Sequence, residues 1–133
     1  MKKEYHSEIF SVRLLAQNIV EVTIHKHQIF DTKHVHEVKM INKKLTGNKP
    51  YGYIGIKNEF AVITKQAKIL MASEKIAKNT VAKALIIQGL SDRILANFYL
   101  KINKPFTQTK VFTNKNEAIK WLEKMLSSIK LVG

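Results

Sequence analysis

Apolar and polar positions alternate with two different periods along this chain, and the places where the period changes mark the elements. From Glu8 to Leu15 (EIFSVRLL) and from Ile19 to Ile24 (IVEVTI) the repeat is close to two, that of half-buried strands. The short connection Ala16-Gln17-Asn18 suits a hairpin, so these strands are expected to pair antiparallel. After HKHQIF, Asp31 offers an N-cap oxygen to a helix starting at Thr32. Val35, Val38, Ile41 and Leu45 recur there at helical spacing, and Gly47 with Pro50 supplies the stop. Tyr51 to Ile56 (YGYIGI) reads as a third strand whose glycines permit a close approach to the backbone or a bulge. Lys57 to Ile63 reads as a loop. Thr64 then caps a helix through about Lys78, with Ala67, Leu70 and Met71 near one face and Ile69, Ala72 and Ile76 beside it.

The second half, Val81 to Leu126, alternates without interruption. Val81 to Gln88 is an almost continuous apolar run, as in a central strand covered on both faces, and Gly89 ends it. Ser91 and Asp92 open a helix whose stripe is Ile94, Leu95, Phe98 and Ile102, and Lys104-Pro105 stops it. Lys110 to Thr113 is a short strand. Asn114 starts a last helix, with capping-box spacing to Glu117 and a buried face of Ala118, Leu122, Met125 and Ile129. The order is β-β-α-β-α-β-α-β-α. One domain spanning 1–133 is expected, an α/β fold with a mixed, mostly parallel five-stranded sheet and four helices. Only its first strand should run antiparallel.

Four stretches carry a family resemblance: LTGNKPYGYIG, MASEKIAK, the run AKALIIQ…SDRILANFYLKINKPFTQTKVF, and EAIKWL. Together they cover Leu45 to Leu122 and resemble the SpoIIAA-like, or STAS-like, domains, more specifically small bacterial domains of STAS/SEC14 type. The resemblance implies this fold and a regulatory role through protein or ligand binding. It does not imply the phosphoswitch of anti-sigma-factor antagonists. Where those proteins carry Asp-Ser, this chain reads IKNEFAVITKQ. Thr64, the hydroxyl there, is better placed as an N-cap than as a phosphoacceptor.

Composition narrows the functional classes. There is no cysteine, so disulfides, thiolate zinc sites and cysteine nucleophiles are excluded. No apolar run approaches the ~20 residues of a bilayer span, and MKKEYHSEIF lacks the apolar core of a secretory signal; a cytoplasmic setting is expected. The net charge of +13 invites a nucleic-acid or anionic-membrane reading. Yet all the basic residues except Arg13 and Arg93 are lysines, and they are scattered. Base and phosphate recognition favours the guanidinium fork, so a solvated lysine-rich surface is the expectation and nucleic acid is disfavoured.

Candidate chemistry is sparse. His25, His27, His34 and His36 crowd the first helix, but their spacing is poor for a metal and they read as surface residues. No Gly-x-Ser-x-Gly elbow, phosphate-binding glycine loop or paired carboxylate appears, so neither an enzyme nor a cofactor is expected. Phe98, Tyr99 and Phe106 around Lys101 read as core packing, with an apolar lipid groove as the alternative. One ligand or partner surface stands out. Ser91, Asp92 and Arg93 lie at a helix start just past the buried strand, where free amides and the dipole favour an anion. Lys57, Asn58, Glu59, Thr64 and Lys65 should share that carboxyl edge of the sheet. The expected partner is a protein or a second copy, or else a small anion or lipid.

Overall fold

The computed structural model describes residues 3–132, with the side chains at 89–91, 95, 99, 103 and 130–132 outside the description. The chain begins with strands β1 (Glu4–His6), β2 (Phe10–Leu15), β3 (Ile19–Ile24) and the short β4 (Ile29–Phe30), followed by helix α1 (Thr32–Leu45). Next come β5 (Tyr51–Lys57), the short β6 (Val62–Ile63), and helices α2 (Lys65–Met71) and α3 (Glu74–Ala77). The chain then alternates β7 (Thr80–Ile86), α4 (Gly89–Asn103), β8 (Thr109–Phe112) and α5 (Lys115–Val132). The main sheet has the order β1-β2-β3-β5-β7-β8, and β4 and β6 pair in a separate two-stranded ribbon. β2 runs against both neighbours, and the other pairings are parallel.

The mixed, mostly parallel α/β class is therefore as the periodicity indicates, with more pieces. β1 adds a sixth strand at the edge, β4 and β6 form the ribbon, and the helix expected from Thr64 to Lys78 is two helices broken at Ala72-Ser73. The break has chemical consequences. The Ser73 hydroxyl and amide both donate to the Leu70 carbonyl, at 2.6 and 3.0 Å. The carbonyls of Met71 and Ala72 accept from Lys83 Nζ and from the Phe106 amide, both at 2.9 Å.

From β3 to β8 each parallel step moves one strand in the same direction, so right-handed crossovers place their helices on one face. α5, after the last strand, is left for the other. Two cores follow. On the first face Phe10, Val12, Val20 and Val22 meet Val35 and Val38 of α1, Ala67 of α2 and Ile76 of α3. On the second, Ile19, Ile54, Ala82, Ala84 and Phe112 meet Ala118, Leu122 and Leu126 of α5. Gly52 of β5 sits under that helix. A Cβ there would lie 3.3 Å from Leu122 Cβ and 3.4 Å from Ile19 Cγ1, which is the close approach its sequence position suggests.

Local chemistry sets the helix ends. Asp31 Oδ1 accepts from the Thr32 amide at 2.7 Å, while His34 Nδ1 accepts from the Asp31 amide at 2.9 Å. His34 is thus half of a capping box and buried against Phe10 and Phe30, not a surface histidine. His25 is also tied down, to Ser11 Oγ at 2.9 Å and the Glu8 carbonyl at 3.0 Å. At the end of α1, Gly47 takes φ 69°, the left-handed conformation that closes the helix. α4 ends at Lys104, also left-handed, just before Pro105.

The start and face of α4 differ from expectation. The helix begins at Gly89 after an extended Gln88, so Ser91 and Asp92 lie inside its first turn and do not cap it. Ile94, Phe98 and Ile102, expected to be buried, are exposed at about 60% each, and Phe106 is exposed as well. Leu95, expected in the same stripe, and Tyr99 have side chains outside the described residues. The physical reason is the topology: α4 leads to the edge strand β8 and packs beside it, where the sheet ends. Ile129, near the end of α5, is exposed for a similar reason, lying beyond Leu126 at the margin of the second core.

Candidate functional site

The residues singled out from the sequence all come from one edge of the sheet, where the parallel strands end, but they form two groups. In the first, Lys57 closes β5 opposite Ile24, and the Asn58 amide donates to the Ile24 carbonyl at 3.0 Å. Asn58 also accepts from the Ala61 amide at 3.1 Å, fixing the turn. Glu59 lies 4.0 Å from Lys26, both well exposed, and its carbonyl accepts from His27 at 3.2 Å. His27 stacks on exposed Phe60, with ring centroids 5.0 Å apart. Thr64 caps α2 by accepting from the Ala67 amide at 3.1 Å, and donates to Asp31 Oδ1 at 2.8 Å. That hydroxyl clips together the starts of α1 and α2. The Thr32 amide first, then Thr64, hold the Asp31 carboxyl below its ordinary value. Lys65 is exposed at the head of α2.

The second group sits on α4. Asp92 and Arg93 are exposed, and the side chain of Ser91 lies outside the described residues. Among the described residues, no side-chain hydrogen bond or ion pair joins this group to the first. They share an edge through their strands, since Ile56 of β5 pairs with Ile86 of β7. What α4 adds is the exposed stripe Ile94, Phe98 and Ile102, one turn apart, beginning next to Arg93 and running to Lys101 and Lys104. Its period is legible in the sequence; its outward orientation is not.

The opposite edge, where β5 and β7 begin, holds a polar cluster that sequence reasoning missed. Lys83 lies mid-strand in β7, only 7% exposed, on the face covered by α1 and α2. Its ammonium donates to the Met71 carbonyl at 2.9 Å and lies 5.3 Å from the centre of the Tyr53 ring. Burial above all, and then the charge of Lys39, push its pKa from 10.5 down to about 8. Lys39, reaching in from α1, donates to the Tyr51 hydroxyl at 3.0 Å, to Thr80 Oγ1 at 3.3 Å and to the Lys78 carbonyl. Between these groups is a cavity of ≈ 20 Å³, about the room of one water. Asn42, 1% exposed, lines it, and among the described residues its Oδ1 has no hydrogen-bond partner. A lone lysine inside AKALII was the available signal for this cluster.

A family model described as "Domain of unknown function (DUF7793)" matches residues 13–126. The chain belongs to the DUF7793 family. Comparison of this DUF7793 domain with curated proteins finds no significant match. Among solved structures it is similar to an uncharacterised DUF3478-family protein with a SpoIIAA-like fold from Shewanella loihica. The identity is 12% and the TM-score 0.55, over 85% of this chain and 91% of that one. The DUF7793 domain therefore has a SpoIIAA-like fold, as its sequence resemblance implies. No described helix is long and apolar enough to cross a membrane.

Proposed function

We propose that this DUF7793 domain is a non-enzymatic regulatory module that binds a protein partner through α4. The observation that carries the reading is the exposed Ile94-Phe98-Ile102 stripe, since three large apolar side chains in line on one helix lose hydration cost only against another surface. The partner is an acidic amphipathic segment. Arg93 lies at the start of the stripe, Lys101 beside it and Lys104 at its end, and a net charge of +13 makes a second copy of this chain a repulsive neighbour. Asp92 is the one acidic residue on α4.

The experiment is affinity capture from source lysate with the native chain and with Phe98→Glu, Arg93→Glu and Lys57→Glu variants. The captured protein is identified and its acidic amphipathic segment retested as a synthetic peptide. Phe98→Glu and Arg93→Glu should each abolish peptide binding, while Lys57→Glu should leave it. A peptide that binds all variants alike removes α4 from the proposal, and loss only with Lys57→Glu moves the surface to the β5 loop. An apolar-ligand carrier has less support, because neither the ≈ 20 Å³ cavity nor the neighbouring recess of ≈ 120 Å³ has room for an acyl chain. Lysine-driven nucleic-acid binding would instead collapse between low and moderate salt whatever variant is used.

A further inference from the structure

The recess of ≈ 120 Å³ at the edge where β5 and β7 begin lies against the Lys39–Lys83 cluster and shares Lys39 and Tyr51 with the smaller cavity. Two left-handed turns frame it. Asn48, following the stop of α1, has φ 59°, and Asn79, between α3 and β7, has φ 67°. The Asn79 side chain donates through Nδ2 to Asn48 Oδ1 at 3.2 Å and to the Asn48 carbonyl at 3.4 Å, which clips the turns together. Lys43 and Lys78 also line the recess. Neither side chain makes a hydrogen bond or ion pair among the described residues.

The charge balance is the informative part. Lys39, Lys43 and Lys78 converge on one concavity, with Lys83 behind, and neither the recess nor the cavity has a carboxylate in its lining. Among the described residues, Lys83 is faced by Lys39 from α1 and by the tyrosines Tyr51 and Tyr53 from β5, and α2 contributes the Met71 carbonyl. Burying one ammonium and half-burying another without an acid is costly, and a fixed anion is the standard compensation. A concave wall of one sign of charge concentrates counter-ions further.

We infer that this recess is a binding site for a small multivalent oxyanion of the phosphate-monoester class, held by Lys43, Lys78 and Lys39. Lys43 and Lys78 supply free donors from opposite sides, Lys39 contributes charge from the wall, and Asn48 and Asn79 set the rim. The site has no lining residue from α4 and goes beyond the protein-binding reading, so the failure of one leaves the other standing. The phosphate can be free or carried on a lipid headgroup; the chemistry recognised is the same.

The test is calorimetric titration of the whole chain with inorganic phosphate at constant ionic strength, against chloride, beside sedimentation with phosphatidylcholine vesicles with and without phosphatidic acid. Saturable phosphate binding is expected, about tenfold weaker in each of Lys43→Ala and Lys78→Ala and unchanged in Arg93→Ala. Both lysines are exposed, so truncating them leaves the fold intact. Binding should also weaken as pH rises through about 8, where Lys83 gives up its charge. Co-sedimentation that requires both phosphatidic acid and the two lysines assigns the headgroup as the source, and binding of phosphate alone assigns the free ion. Absence of saturable binding to either, or binding indifferent to both lysine variants, overturns the inference.

Discussion

Lys83 makes a prediction whose size can be worked out from its surroundings. In the unfolded chain its pKa is the ordinary 10.5, and in the fold it is about 8. The folded form therefore binds fewer protons between those values, and stability must rise with pH across that window and be flat below it. Below about pH 8 the buried ammonium costs the fold roughly 3 kcal/mol, from two and a half units at 1.36 kcal/mol each. Raising the pH from about 7 to about 9.5 should recover about 2 kcal/mol of this. Lys83→Met removes the titration but leaves the Met71 carbonyl without its donor, a loss of about 1–3 kcal/mol. At neutral pH the two effects nearly offset. The assay is urea denaturation of both proteins at the two pH values. Other groups titrate equally in both, so the quantity to read is the difference between their pH responses. If the native chain and Lys83→Met respond identically to pH, Lys83 carries an ordinary, solvated charge and the reasoning fails.

Other expectations follow from single contacts. Gly52→Ala should destabilise by about 1–3 kcal/mol, because its Cβ presses on the backbone-proximal Cβ of Leu122; an unchanged denaturation midpoint would mean α5 can lift off β5 freely. Thr64→Ala removes both the α2 cap and the bond to Asp31, costing about 1 kcal/mol by urea denaturation at neutral pH. Because the folded Asp31 pKa is depressed, its stabilisation is present above the ordinary carboxylate pKa and lost as pH falls through the folded value. The variant should therefore show a shallower loss of stability in acid. Asn42→Leu, which replaces a buried amide whose oxygen has no partner among the described residues with an apolar group of similar shape, should be neutral or stabilising in thermal denaturation.

How much of this was legible in the sequence depends on the length of the signal. β3, α1, β5 and α5 carry several turns or repeats of their period, and their positions match the pattern closely. β1, β4 and β6 have two or three residues each, too few for any periodicity, and exist because a neighbouring strand offers an edge. The Ala72-Ser73 break is invisible to an apolar count, since Ala67, Leu70, Ala72 and Ile76 read as one surface. The α4 stripe marks the limit of pattern reading: period fixes which residues share a face, and only the sheet's end decides whether that face is covered. The edge residues Lys57, Asn58, Glu59, Thr64 and Lys65 fall together as topology requires. Thr64 is the most engaged of them, as a cap and a clip between two helices. Lys83 was hidden because one cation in an apolar strand reads as a solvated position until α2 is placed over it.

The interruption between α2 and α3 gives the molecule a joint. In an unbroken helix the carbonyls of Met71 and Ala72 would be spent inside its own ladder. Released, one anchors a side chain of β7 and the other anchors the backbone that leads into β8. The last two strands are thereby tethered to the middle of the helical layer, at two successive residues. Any shift in charge at Lys83 acts on the first tether, while α4 hangs from the second through Phe106. The recess and the face of α4 thus meet mechanically at a single peptide step.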